Sequence, residues 1–83
     1  MGNIPKALTD AFYTNDPSFG IALFVNDEVS VISGIHQSRN AWVISLEELE
    51  PEQKYLIEFE NGSDAILPLS QLTLVQRNVT GSK

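Results

Sequence analysis

Apolar positions along this chain recur with two different periods, and the change falls near Phe19. At the start, Ile4, Leu8, Ala11 and Phe12 recur at three- and four-residue spacings that line one side of a helix, with Pro5 tolerated in its first turn. Asn15-Asp16-Pro17-Ser18 ends that element, because these residues favour turns and the residue before a proline avoids helical angles. From Ile21 onward the chain reads as short strands punctuated by turns, the pattern of a small all-β domain. Ile21 to Val25 is apolar and closes on the Asn26-Asp27 turn. Val29 and Val31 then alternate with Glu28 and Ser30, as in a strand with one buried face. Ser33 to Asn40 is a polar loop, and Ala41 to Leu46 returns as a second arm rich in Trp, Val and Ile.

The segment Glu47 to Gln53 is acidic and carries Pro51, which predicts a connection. Lys54 to Phe59 puts Tyr55, Ile57 and Phe59 on one face, and Glu60-Asn61-Gly62-Ser63 follows as the strongest hairpin turn in the chain, since Asn-Gly favours positive φ. Asp64 to Pro68 is its partner strand, restricted by Pro68 to an edge or an end. Leu69-Ser70-Gln71 predicts one tight helical turn before a last strand over Leu72 to Gln76. The organisation expected is a helix and turn over 1–18, a β domain over 19–76 and a polar, fraying tail over 77–83.

Composition narrows the function classes. A chain of 83 residues supports one compact domain that buries about 60–65% of its unfolded surface. With 42% hydrophobic and 19% charged residues it falls on the folded side of the disorder boundary. It has no cysteine, hence no disulfide, no thiolate nucleophile and no Cys-ligated zinc. The apolar run Ile21 to Val25 is too short to cross a bilayer, and no basic start leads into an apolar signal segment, so a cytoplasmic protein without membrane association is expected. On that expectation the sequon-like Asn78-Val79-Thr80 is accidental. Eleven acids against five bases give a net charge of -6, which repels phosphate backbones and makes protein the expected partner.

Few residues carry candidate chemistry. His36 is the single histidine, sits in a polar loop beside Gln37, Ser38 and Arg39, and has no nucleophile or second ligand near it in sequence. Glu47, Glu48, Glu50 and Glu52, with Glu58, Glu60 and Asp64 downstream, offer either an acidic face for a basic partner or a solvated rim. Trp42 shares a strand face with Ile44 and opposes Val43, and serves either a core or subunit contact or a peptide groove. Ile66 and Leu67 point to opposite faces of one short strand, so one of them is a candidate for self-association in a homo-oligomer. No catalytic set, metal site or cofactor is expected. The binding residues singled out are Trp42, His36, Arg39, Glu48, Glu50 and Glu52.

The hairpin Asp27 to Leu46 resembles the opening hairpin of a small SH3-like barrel, and Val29-Ser-Val-Ile-Ser-Gly34 followed by Val43 resembles a KOW motif. That likeness implies a nucleic-acid-associated module. Where the family prefers glycine and lysine, this loop has Ser38, Ala41, Gln37 and Asn40, leaving Arg39 as its base. From Phe19-Gly20 to Val75, through Ser33-Gly34, Tyr55-Leu-Ile-Glu58 and Ser63-Asp-Ala-Ile-Leu-Pro68, the chain is similar to the type II dihydrofolate reductases, barrels that form tetramers around a pore. That family's pore tripeptide Gln-Ile-Tyr aligns with Ala65-Ile66-Leu67 and its substrate-holding lysine with Val31, so only Ile66 survives and the likeness implies a symmetric oligomer without the reductase activity. The fold expected is mainly β, a small five-stranded SH3-like barrel with a short N-terminal helix, acting as a non-enzymatic binding module.

Overall fold

The computed structural model describes residues 4–77 and contains one α-helix and five antiparallel strands. Helix α1 (Lys6–Thr14) starts after Pro5 and ends where Asn15 enters the left-handed region at φ 58°, its N–H returning to the Ala11 carbonyl. Asparagine tolerates that conformation better than most residues. The helix turns Ala11 and Phe12 into the core and leaves Tyr13 exposed. Asp16 then accepts hydrogen bonds from the Ser18 hydroxyl and backbone N–H, opening a 3-10 turn over Pro17–Phe19. Those two bonds hold the Asp16 carboxyl below its ordinary range.

Strands β1 (Glu28–Val31), β2 (Asn40–Glu48), β3 (Lys54–Phe59), β4 (Asp64–Pro68) and β5 (Leu72–Gln76) form one sheet in the order β4-β3-β2-β1-β5. The chain meanders from β1 to β4, then passes through a 3-10 turn at Leu69–Gln71 that lays β5 against β1. β4 and β5 are the two edges, and no ladder joins them. Alternation sends Val29, Val31, Ala41, Val43, Tyr55, Ile57 and Phe59 inward, where they meet Phe12 of α1 and Ile21, Leu23 and Phe24. Each large buried side chain of this kind contributes about 1.5–3 kcal/mol. Two irregularities, between Val43 and Ser45 and between Leu46 and Glu48, let β2 run two residues past the expected end while keeping Leu46 opposite Tyr55.

The apolar run Ile21 to Val25, which reads as a strand, is not one. Three consecutive N–H groups go to side chains instead of a ladder: Ala22 to Gln53 Oε1 (3.1 Å), Leu23 to the Tyr55 hydroxyl (3.2 Å) and Phe24 to Asp27 Oδ2 (2.8 Å). Gln53 completes the clasp by donating to the Gly20 carbonyl at 2.8 Å, and the Tyr55 hydroxyl donates to Gln53 Oε1.

Asp27 is fully buried, and Arg77 Nη1 meets its Oδ2 at 3.2 Å. The same guanidinium donates to the Ala22 carbonyl (3.3 Å) and lies 5.0 Å from the Phe24 ring centre. Asn26 N–H donates to the Val43 carbonyl (2.7 Å), and Val43 N–H to the Asp27 carbonyl (2.9 Å), so this turn is also pinned to the middle of β2. Arg77, which the sequence assigns to a fraying tail, is thus docked on the core. The rest of that tail, 78–83 with Asn78-Val79-Thr80, lies outside the described residues. Among the described residues no helix is long and apolar enough to cross a membrane.

Arg77→Ala removes a guanidinium from the buried Asp27 carboxylate and is expected to cost about 3 kcal/mol, the low end for breaking a buried pair because Arg77 is partly exposed. Thermal unfolding should therefore shift down by more than about 10 °C, and a loss under about 1 kcal/mol would show that the pair is not a structural tie. Burial raises the Tyr55 phenol above its ordinary pKa. Its contribution is complete below about pH 10 and is lost as pH climbs from there through the folded value. Tyr55→Phe is expected to cost about 1–2 kcal/mol at neutral pH, through the broken bonds to Leu23 and Gln53, and to flatten the alkaline fall seen in denaturant titrations. Parallel alkaline profiles for the two proteins would contradict the assignment.

Candidate functional site

The sheet has an inner face that builds the core and an outer face that does not. Because Ala41 opposes Phe59 and Val43 opposes Ile57, all buried, the residue between them, Trp42, points outward and is half-buried. The register sets Glu28 of β1 on one side of Trp42 and Glu58 of β3 on the other. Asp64 of β4 opposes Glu58, and Gln76 of β5 opposes Glu28, so one transverse row crosses the whole sheet. With strands about 4.8 Å apart, the backbones of Glu28 and Glu58 flank the indole at a separation of roughly 10 Å. The next row holds Ser45, Leu56 and Ile66, and the one beyond it Glu48, Lys54 and Pro68. Trp42, Leu56 and Ile66 lie outside the core cluster.

Charge on this face is not internally balanced. Of the described basic side chains, Lys54 lies on this face but pairs with Glu48 two rows from Trp42, while Lys6 pairs with Asp10, Arg77 with Asp27, and Arg39 lies over Phe59. Glu28 accepts a hydrogen bond from Asn40 Nδ2 at 2.9 Å. Glu58 and Asp64 are exposed and directly opposed, an arrangement of like charges that costs stability rather than adding it.

His36 and Arg39 come together, but on the loop rather than on the face. The His36 ring stacks on Phe59 with centres 4.9 Å apart, and the Arg39 guanidinium carbon is 4.0 Å from the same ring centre. Arg39 Nη1 stands 3.5 Å from His36 Nδ1. These contacts fasten the β1–β2 loop to the end of β3. The loop turns at Gly34 (φ 88°), where an added Cβ would sit 3.2 Å from Gln71 Oε1, and at Ser38 (φ 75°), a left-handed position occupied by a residue with a Cβ. Beside it an open pocket of about 360 Å³ is lined by Ser38, Arg39, Asn40, Glu60 and Asn61.

The acidic connection is at the opposite end of β2 and does not form one face. Glu48 pairs with Lys54 at 3.4 Å, and Glu52 accepts the Ser70 N–H at 2.7 Å, which ties the connection to the 3-10 turn before β5. Glu50, exposed beside the cis bond to Pro51, remains as a surface charge. Leu67 packs against the core, while Ile66 is outward and half-exposed. Sequence reasoning missed Glu28, and missed that Glu58 and Asp64 stand in line with Trp42. Alternation marks Glu28 and Glu58 as outward, but only the register puts them beside the indole.

Among the described residues no group of three or more His, Asp or Glu side chains is arranged to hold a metal ion. Fold and face together define a small, mainly β protein with an acidic, aromatic outer sheet surface. Compared with known proteins, the chain matches no family model, no curated protein and no solved structure.

Proposed function

We propose that the chain is a non-enzymatic, SH3-like binding module that docks a basic segment of a partner protein on the sheet face around Trp42. The observation that carries this reading is the row Glu28, Trp42, Glu58 and Asp64, an indole flanked by carboxylates that no described cation neutralises. A lysine or arginine side chain laid on the indole gains a cation–π contact, and the flanking carboxylates attract it from solution and fix its orientation. Leu56 and Ile66 in the adjacent row supply apolar area for the neighbouring residues of the same segment. The strand order and the 3-10 turn before β5 support the SH3-like reading. A KOW-like nucleic-acid role has less support, since the acids repel phosphate and Arg39 is already stacked on Phe59. A central-pore oligomer would hold its ligand near Ile66, which is outward and half-exposed, but the flanking Ala65 and Leu67 pack on the core and leave it less support.

Trp42 is the single tryptophan, so its emission reports on this face directly. Titration with octaarginine at about 50 mM salt is expected to give a saturable emission change that weakens as salt rises. The triple variant Glu28→Gln, Glu58→Gln and Asp64→Asn should bind at least about tenfold more weakly with its circular dichroism unchanged. The control triple Glu48→Gln, Glu50→Gln and Glu52→Gln removes the same charge two rows or more from Trp42 and should lose far less. Equal losses in the two triples would reduce the effect to net charge and sink the proposed site.

A further inference from the structure

The two edges of the sheet are not alike. β4 begins with Asp64 and ends with Pro68, a charge and a proline that discourage strand addition. β5, Leu72-Thr73-Leu74-Val75-Gln76, has no charge, no proline and no glycine, and four of its five residues are exposed. Leu74 is 40% and Val75 50% exposed, and no described element pairs with the side of β5 facing away from β1. The irregularity between Glu28 and Val29 also leaves Val75 without an opposite residue on β1.

We infer that β5 is a self-pairing edge, at which two copies of this chain join antiparallel about a two-fold axis through Leu74 and make one continuous sheet. Charge selects the occupant. In a chain of net charge -6, β5 is the edge at which two copies meet with no carboxylate opposing another. Pairing about Leu74 sets Leu74 against its own copy and Thr73 against Val75, aliphatic and β-branched neighbours that stabilise antiparallel pairs, while the extra residue at Val75 turns Gln76 to the outer face and confines the ladder to these three positions. A basic partner finds no carboxylate on β5, so this edge is separate from the Trp42 face. A ladder of this length buries less than about 1,000 Å² on its own, so the dimer is weak, with a Kd of about 10⁻⁴ M.

Sedimentation equilibrium of the full chain from about 10 µM to about 1 mM should follow a monomer–dimer equilibrium of that strength. On dilution, backbone amide shifts should move along Leu72 to Gln76. The doubles Thr73→Lys with Val75→Lys and Thr73→Asp with Val75→Asp should each be monomeric, because like charges then face each other across the axis. Their equimolar mixture should recover a dimer at least as tight as the unsubstituted protein. A chain that stays monomeric at about 1 mM, dilution shifts centred on Ile66 instead of β5, or a mixture that fails to associate overturns the inference. The dilution map needs no substitution, so it decides the matter even where a variant fails to fold.

Discussion

The buried carboxylate of Asp27 is the group on which the rest of the sheet depends. Left alone, a charge removed from water costs several kcal/mol, so its partners are obligatory. Its side chain takes the Phe24 N–H and the Arg77 guanidinium, while its backbone carbonyl takes the Val43 N–H. One residue thereby ties the irregular segment before β1, the middle of β2 and the residue after β5. Once Asp27 is bonded to Val43, the antiparallel step outward sets Glu28 opposite Trp42. The residue whose backbone fixes the register of the outer face is thus the one whose side chain makes the inner ion pair.

A second tie works beside it. Gln53 and Tyr55, just before and at the start of β3, bond the backbone of Gly20, Ala22 and Leu23, so a stretch with no strand partner is still anchored. With the inside held by Asp27 and by this clasp, the outer face can carry an unfavourable arrangement. Glu58 and Asp64 oppose each other and Trp42 keeps part of its indole in water. Each costs a little stability, on the order of 0.2–1 kcal/mol for the opposed acids, and both suit the docking of a basic segment proposed above.

Local patterns in the sequence give the helix, the Asn61-Gly62 hairpin and the alternating arms, because each depends on neighbours a few residues apart. The Asn61-Gly62 turn forms as read, with Phe59 N–H bonded to the Ser63 carbonyl at 2.8 Å and Gly62 at φ 90°. The segment Ile21 to Val25 misleads for the same reason. Its apolar character is real, but its hydrogen-bond partners Gln53 and Tyr55 lie some thirty residues away, 31 for Ala22 to Gln53. Arg77 is invisible as a structural residue, because its partner Asp27 is at the other end of the β domain. The candidate site is legible one residue at a time. Trp42 and the downstream acids stand out, but their alignment depends on pairing across strands, and Glu48 and Glu52 prove to be committed to Lys54 and Ser70.

On the proposed reading, the register fixed at Asp27 offers the row Glu28, Trp42, Glu58 and Asp64 to a basic segment. The most direct test is a nitrogen-15 NMR map of the full chain titrated with octaarginine. The Trp42 indole N–H and the backbone amides of Glu28, Glu58 and Asp64 should move first and furthest. Shifts centred on Ser38, Glu60 and Asn61, or on Glu48 to Glu52, with the Trp42 indole unmoved, would contradict it.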